Sequence, residues 1–214
     1  MIVIATNNGY DTLPQLLRSI EDTNNLDIPV SIVDTGSTDL KFIEYLDDLP
    51  SKYSILKIKK GYDTGAYIYA YENLKSDFYI FLQDSVTILS KDFYSIALNH
   101  INNSTFFSYH IFESWEGAYT CEEVLPLHFG QLDIDSYKFG VFGPMFACSK
   151  EIMDKLYNSK LYFIPKNKKE QMAMERGWGI ILNKLNIPLT YLDHYKVLLQ
   201  NKSPYIKKYF KDRQ

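Results

Sequence analysis

The chain is poor in the residues that build special scaffolds. Only two of its 214 residues are cysteine, Cys121 and Cys148. Neither belongs to a C-x-x-C pair or has histidines at zinc spacing, so both read as buried or incidental thiols. Ten glycines and eight prolines, without a repeat, exclude a fibre or a low-complexity segment. An excess of one charge is also missing: 26 acidic against 23 basic residues leave a net charge of −3, without the basic footprint of a duplex nucleic-acid binder. No apolar run approaches the roughly 18 residues of a membrane span. The densest, Phe78-Tyr79-Ile80-Phe81-Leu82, is strand-sized. No basic, secretory-type leader precedes the β-rich run at residues 2–5, which sets a cytoplasmic location as the expectation. The phosphate loop G-x-x-x-x-G-K and the dinucleotide fingerprint G-x-G-x-x-G are absent as well, so P-loop and dinucleotide chemistry lose their main support.

What the chain does have is an ordinary globular composition, 46% hydrophobic and 23% charged, with an unusual load of 18 tyrosines and 13 phenylalanines. Tyrosine offers a flat apolar face with a polar tip, which suits sugar and nucleoside pockets. The first half alternates. Residues 2–5 read as a buried strand, and Leu13, Leu16, Leu17 and Ile20 recur at helical spacing with Asp11 or Thr12 as cap. Residues 30–33 form a second strand ending in Asp34. Ser37 can then cap a helix carrying Phe42, Ile43, Leu46 and Leu49. Residues 55–58 form a third strand, Gly65 opens a helix to about Leu74, and residues 78–82 form a fourth strand. Strands separated by helices at this spacing predict a parallel, doubly wound sheet with its ligand site at the carboxyl ends of the strands. Thr6, Asn7, Asn8, Asp34, Asp63 and Asp84 all fall at or just beyond those ends.

Beyond Asp92 the period fails. Residues 106–112 and 139–148 read as strands, with 113–138 an elaborated loop over the site. Ser149 caps a helix, a second helix ends near Leu185, and residues 188–192 form a late strand. The tail, 196–214, carries six basic residues around Tyr205, Ile206, Tyr209 and Phe210, and reads as a basic amphipathic helix or a linker, with a peripheral membrane contact as a further use.

The most specific stretch is Ile32-Val33-Asp34-Thr35-Gly36-Ser37-Thr38-Asp39. It resembles the hydrophobic-Val-Asp-Asp-Gly-Ser-Thr-Asp signature of the inverting, family-2-like glycosyltransferases of the GT-A fold, with Thr35 in place of the second Asp. Residues 2–8, with Leu16, Ser19 and Ile20, are similar to that family's first strand and helix. Gly65-Ala66 with Ala70, followed by residues 78–85, is similar to the segment leading into its Asp-x-Asp element. The resemblance covers residues 1–92 and thins thereafter. It implies a Rossmann-like, doubly wound mixed sheet flanked by helices. The domain would run over 1–195, split into a nucleotide-binding half (1–92) and an acceptor and metal half (93–195). The activity it implies is transfer of a sugar from a nucleotide diphosphate donor, uridine-linked, to a glycan or other hydroxyl acceptor.

By the same resemblance Thr6, Asn7, Asn8, Asp34, Asp63, Gly65 and Gln83 would line the nucleotide-sugar site, and Asp84 would bind Mn²⁺ or Mg²⁺. Gln83-Asp84-Ser85 has a single carboxylate, but such cations keep waters and substrate phosphates as ligands. His194, just past the last strand, would be a second ligand, favouring Mn²⁺; a locally bonded histidine is the bland alternative. His100, His110 and His128 read as structural. Glu175, in Met174-Glu175-Arg176-Gly177-Trp178-Gly179, matches the acidic residue that activates the acceptor hydroxyl, against an ordinary helix-face pair with Arg176. Two glycines there cost a helix on the order of 1 kcal/mol each, which suggests a helix start or a close approach by another group. Phe142-Gly143-Pro144 resembles the turn that borders the sugar pocket. The depleted Asp-x-Asp element supports a competing class, a non-catalytic GT-A-like domain that binds nucleotide sugar or glycan.

Overall fold

The structure is a computed structural model, and it describes residues 1–101, 105–113, 123–130 and 139–209. Cys121, most of the segment read as a loop over the site, and the tail residues Phe210, Lys211 and Arg213 lie outside the described residues.

The first half follows the alternation. Strands β1 (Ile2–Thr6), β2 (Val30–Asp34), β3 (Tyr53–Lys57) and β4 (Phe78–Gln83) are joined by helices α1 (Leu13–Thr23), α2 (Leu40–Asp47) and α3 (Tyr62–Asn73). Strands β1 to β4 pair in parallel, with β1 between β2 and β4, and the register sets Thr6 opposite Asp34 and Ala5 opposite Gln83. Parallel strands covered on both faces read as apolar runs, and the pleat sends alternate residues to opposite cores. Ile2 and Ile4 pack with α1, α2 and Leu82, whereas Val3 and Ala5 pack with α3 and Phe81.

The second half adds β5 (Val86–Ile88), α4 (Asp92–His100), β6 (Phe106–Glu113), α5 (Leu125–Phe129), β7 (Phe139–Val141), β8 (Phe146–Ser149), α6 (Lys150–Ser159), α7 (Lys168–Lys184), β9 (Leu189–His194), α8 (Tyr195–Leu199) and β10 (Ile206–Lys208). Strand order in the main sheet is β3-β2-β1-β4-β8-β6-β7, with β9 paired to β6. Strands β7 and β8 run antiparallel to their neighbours, so the sheet is mixed. Gly143, at φ +56°, lies in the turn that divides the single strand expected over 139–148 into β7 and β8.

Several expectations need correction. Gly65 lies inside α3 rather than at its start, because the chain already turns at Gly61, whose φ of +146° favours glycine. Asp39, not Ser37, caps α2, accepting from the amides of Lys41 and Phe42, because the Ser37 hydroxyl is engaged by Asp34. Glu175 sits in the middle of α7. The glycines near it serve close approach: a Cβ on Gly179 would lie 1.7 Å from the carbonyl oxygen of Phe139, and one on Gly177 would lie 2.8 Å from the Phe129 ring. The described part of the tail is not an amphipathic helix. It makes the short α8 and then the strand β10, which pairs antiparallel with β5. Ile206 is buried in the core, so this apolar position faces the protein and not a membrane. Among the described residues no helix is long and apolar enough to cross a membrane.

Candidate active site

Two groups of side chains meet at the carboxyl ends of β1, β2 and β4. The first is a web of turns. Asp34, 4% exposed at the end of β2, accepts from both the amide (3.0 Å) and the hydroxyl (2.6 Å) of Ser37 through Oδ1. Asn8 adopts a left-handed conformation, donates its amide to the Ser37 hydroxyl, and accepts the amides of Thr38 and Asp39 at 2.9 Å on its side-chain oxygen. Asn7 donates from its side chain to the carbonyl of Thr35. The Asp-Thr-Gly-Ser-Thr turn is thus fixed by side chains from the end of β1, which leaves Asp34 rigidly presented.

The second group is charged and desolvated. Thr6 donates its hydroxyl to Asp84 Oδ2 at 2.8 Å, and both are buried. Gly9 permits this, since a Cβ there would stand 2.2 Å from Asp84 Oδ2 and 2.6 Å from Thr6 Oγ1. Asp63 accepts from Gln83 (2.6 Å) and Gln171 (2.9 Å), and burial of its carboxylate raises its pKa. Gln83 in turn accepts from the ammonium of Lys208 at 2.6 Å. Glu175, 7% exposed, has its carboxyl pushed up to about 7 by burial, opposed by the charges of Arg176, Lys168 and Lys208. Arg176 Nη1 stands 3.6 Å from it. The Lys208 ammonium is drawn below the usual lysine value by burial, with Glu175, Asp63 and Asp84 pulling the other way.

The structure therefore brings together Asn7, Asn8 and Asp34 on one side and Asp63, Gln83, Asp84 and Glu175 on the other, with Thr6 touching both. Gly65 supports them from within α3, where a Cβ would press on Ile164 at 3.3 Å. His194 stands apart: it ends β9, which is separated from β4 in the sheet by β8 and β6. Its Nδ1 accepts the Lys196 amide as the cap of α8. Among the described residues no three His, Cys, Asp or Glu side chains converge, so a divalent ion on Asp84 would draw its other ligands from water and the diphosphate.

Sequence reading missed Gly9 and the inward turn of Lys208, and read His110 as structural. His110 is fully buried with neither ring nitrogen partnered among the described residues, and burial, helped by the charge of Lys208, pushes its pKa down to about 3. Tyr67 Oη, Thr64 Oγ1 and Gln171 Oε1 are likewise buried without partners. Each such atom costs about 1–3 kcal/mol, and Tyr67 sits within the field of Asp63, Asp84 and Glu175. The other two histidines are packing residues, His100 stacked on Phe107 and His128 on Phe163.

No family model and no curated protein matches this sequence. Solved structures do. S. aureus TarS, residues 1–349, determined with UDP-GlcNAc, superposes over 100% of this chain and 59% of its own, with a TM-score of 0.60 at 13% identity. The fold is that of the GT-A glycosyltransferases. M. tuberculosis glucosyl-3-phosphoglycerate synthase matches over 100% of this chain and 72% of its own, with a TM-score of 0.55 at 13% identity. This chain accordingly spans a little over half the length of the TarS fragment.

Proposed function

We propose that this chain is a glycosyltransferase that takes a sugar from a uridine diphosphate donor and passes it to a hydroxyl of a glycan or other acceptor. The observation that carries the reading is the pairing of a rigidly held Asp34 at the end of β2 with a buried Glu175 whose carboxyl titrates near neutrality. Asp34 has Oδ2 to offer a base or ribose while Ser37 holds Oδ1. The similar TarS structures hold UDP-GlcNAc and UDP, which supports uridine diphosphate as the donor's leaving group.

In the step itself, the bond from the anomeric carbon to the phosphate oxygen breaks and its electron pair leaves with the diphosphate. The acceptor oxygen bonds to that carbon from the opposite face, and its proton passes to Glu175. A general base works best with a pKa close to the operating pH, and positioned bases contribute on the order of 10² to 10⁴ in rate. Mn²⁺ or Mg²⁺ held by Asp84 would be the rival source of positive charge.

A panel of nucleotide sugars, assayed for hydrolysis and transfer with and without Mn²⁺, tests the reading. Calorimetry with Asp34→Ala tests its nucleoside half: losing a hydrogen bond to a charged acceptor, about 1.5–3 kcal/mol, should weaken UDP at least tenfold while the fold persists. The single carboxylate of Gln83-Asp84-Ser85 favours a second reading, a non-catalytic domain that binds nucleotide sugar or glycan. Donor binding without turnover on any donor and acceptor would establish it.

A further inference from the structure

We propose that Lys208, carried into the site by β10, is the cation that meets the donor diphosphate and offsets the charge developing on it as it leaves. This rests on the glycosyltransferase reading above and adds to it a residue from the tail.

Placement is the first argument. The β10–β5 ladder pairs Lys208 with Val86, and the Tyr209 amide donates to the Ser85 carbonyl, so Lys208 is pinned beside Gln83-Asp84-Ser85. That is the segment where the sequence resemblance would put a metal. Strand alternation sends Ile206 and Lys208 inward and Lys207 the other way, over the Tyr209 ring. Lys208 is therefore not one more solvated charge of a basic tail.

Its hydrogen bonding is the second. An ammonium has three donors, and among the described residues Gln83 Oε1 is the one acceptor it reaches. Two donors are left to face a ligand. Gln83 suits the task chemically: its amide orients the ammonium without cancelling the charge, as a carboxylate at 83 would. The amide is itself held by Asp63, which accepts from Nε2. The turn at Gly143 makes room for the pair, since a Cβ there would stand 2.8 Å from Gln83 Oε1 and 3.4 Å from Lys208 Nζ.

Company is the third. The charges of Glu175, Asp63 and Asp84 favour the ammonium of Lys208, and that of Lys168 opposes it. Diphosphate oxygens are the ligand that satisfies an under-bonded ammonium at this place. Lys208 transfers no proton in the step; it donates hydrogen bonds to the oxygen that receives the electron pair.

The test is calorimetry in excess EDTA with inorganic pyrophosphate, UDP and uridine. The proteins are the wild type, Lys208→Met, Lys208→Arg and Asp34→Ala, with thermal melting to certify each fold. Wild type should bind pyrophosphate and UDP without metal. Lys208→Met should lose pyrophosphate and at least tenfold in UDP affinity while uridine is unchanged, and Lys208→Arg should retain most of both. A wild type that captures pyrophosphate only with Mn²⁺, or a Lys208→Met that binds UDP as well as wild type, overturns the proposal. Failure of the donor reading looks different: Lys208-dependent pyrophosphate capture would persist, with no gain from uridine and no effect of Asp34→Ala.

Discussion

The two sides of the site are built by different means. Around Asp34 the turn at residues 34–39 is closed by its own side chains, Ser37 on Asp34 and Asp39 on the next amides, and pinned by Asn8 from the end of the adjacent parallel strand. Around Glu175 the side chains come from α3, β4, α7 and β10, far apart in sequence, and they meet as charges removed from water. The first arrangement gives a rigid contact that is insensitive to distant parts of the chain. The second gives reactive groups whose protonation depends on packing, at a cost in stability.

The sharpest way to break this comparison is Glu175→Gln. Turnover should fall by roughly 10² to 10⁴ with donor affinity unchanged, because only basicity is removed. In the parent, kcat should rise with pH to a plateau above about 7, and the variant should lose that limb. Stability should move oppositely. A carboxyl that titrates near 4.5 in the unfolded chain and at about 7 in the fold leaves the native state with more bound proton between those values. Stability therefore falls as pH rises through that window, by an amount on the order of 3 kcal/mol, and Glu175→Gln should flatten the slope of urea midpoint against pH. An unchanged slope would show that Glu175 does not titrate in this way.

A smaller effect is expected where the two sides touch. Gly9→Ala would drive a methyl into Asp84 and Thr6, costing about 1–3 kcal/mol, and should lower activity through displacement of Asp84. A variant that melts and turns over like the parent would mean that this contact yields easily. The smallest effect calibrates the scale: Lys52 and Glu21 pair on the exposed surface at the far ends of the strands, and Lys52→Ala should cost under about 1 kcal/mol and nothing in activity.

How much was legible follows the same division. Strands β1, β2 and β4 bury both faces, so they appear as apolar runs, and helices α1 and α2 carry periodic or capped patterns; the motif around Asp34 stands in consecutive letters. Strand β5, helix α4 and the tail strand escaped. Strand β10 is three residues long, with two lysines, and nothing in it announces that Lys208 turns inward; that is decided by β5, more than a hundred residues earlier. The role of Gly9 needs the position of Asp84, and the burial of His110 needs the position of α7. The glycines of α7 did signal close approach, and the approaching groups proved to be Phe139 and Phe129.

The short ribbon of β5 and β10 also bears on the order in which the molecule assembles. Two strands of three residues gain little from each other alone, and closing the long loop between them costs entropy that the parallel sheet must first repay. The sheet and its Asp34 turn can thus stand before the ribbon closes, and the ammonium of Lys208 is among the last parts to arrive. The ribbon should therefore open before the parallel sheet does, and the amides of Leu89 and Tyr209, which bridge it at 2.8 Å, should exchange with deuterium before those of β1.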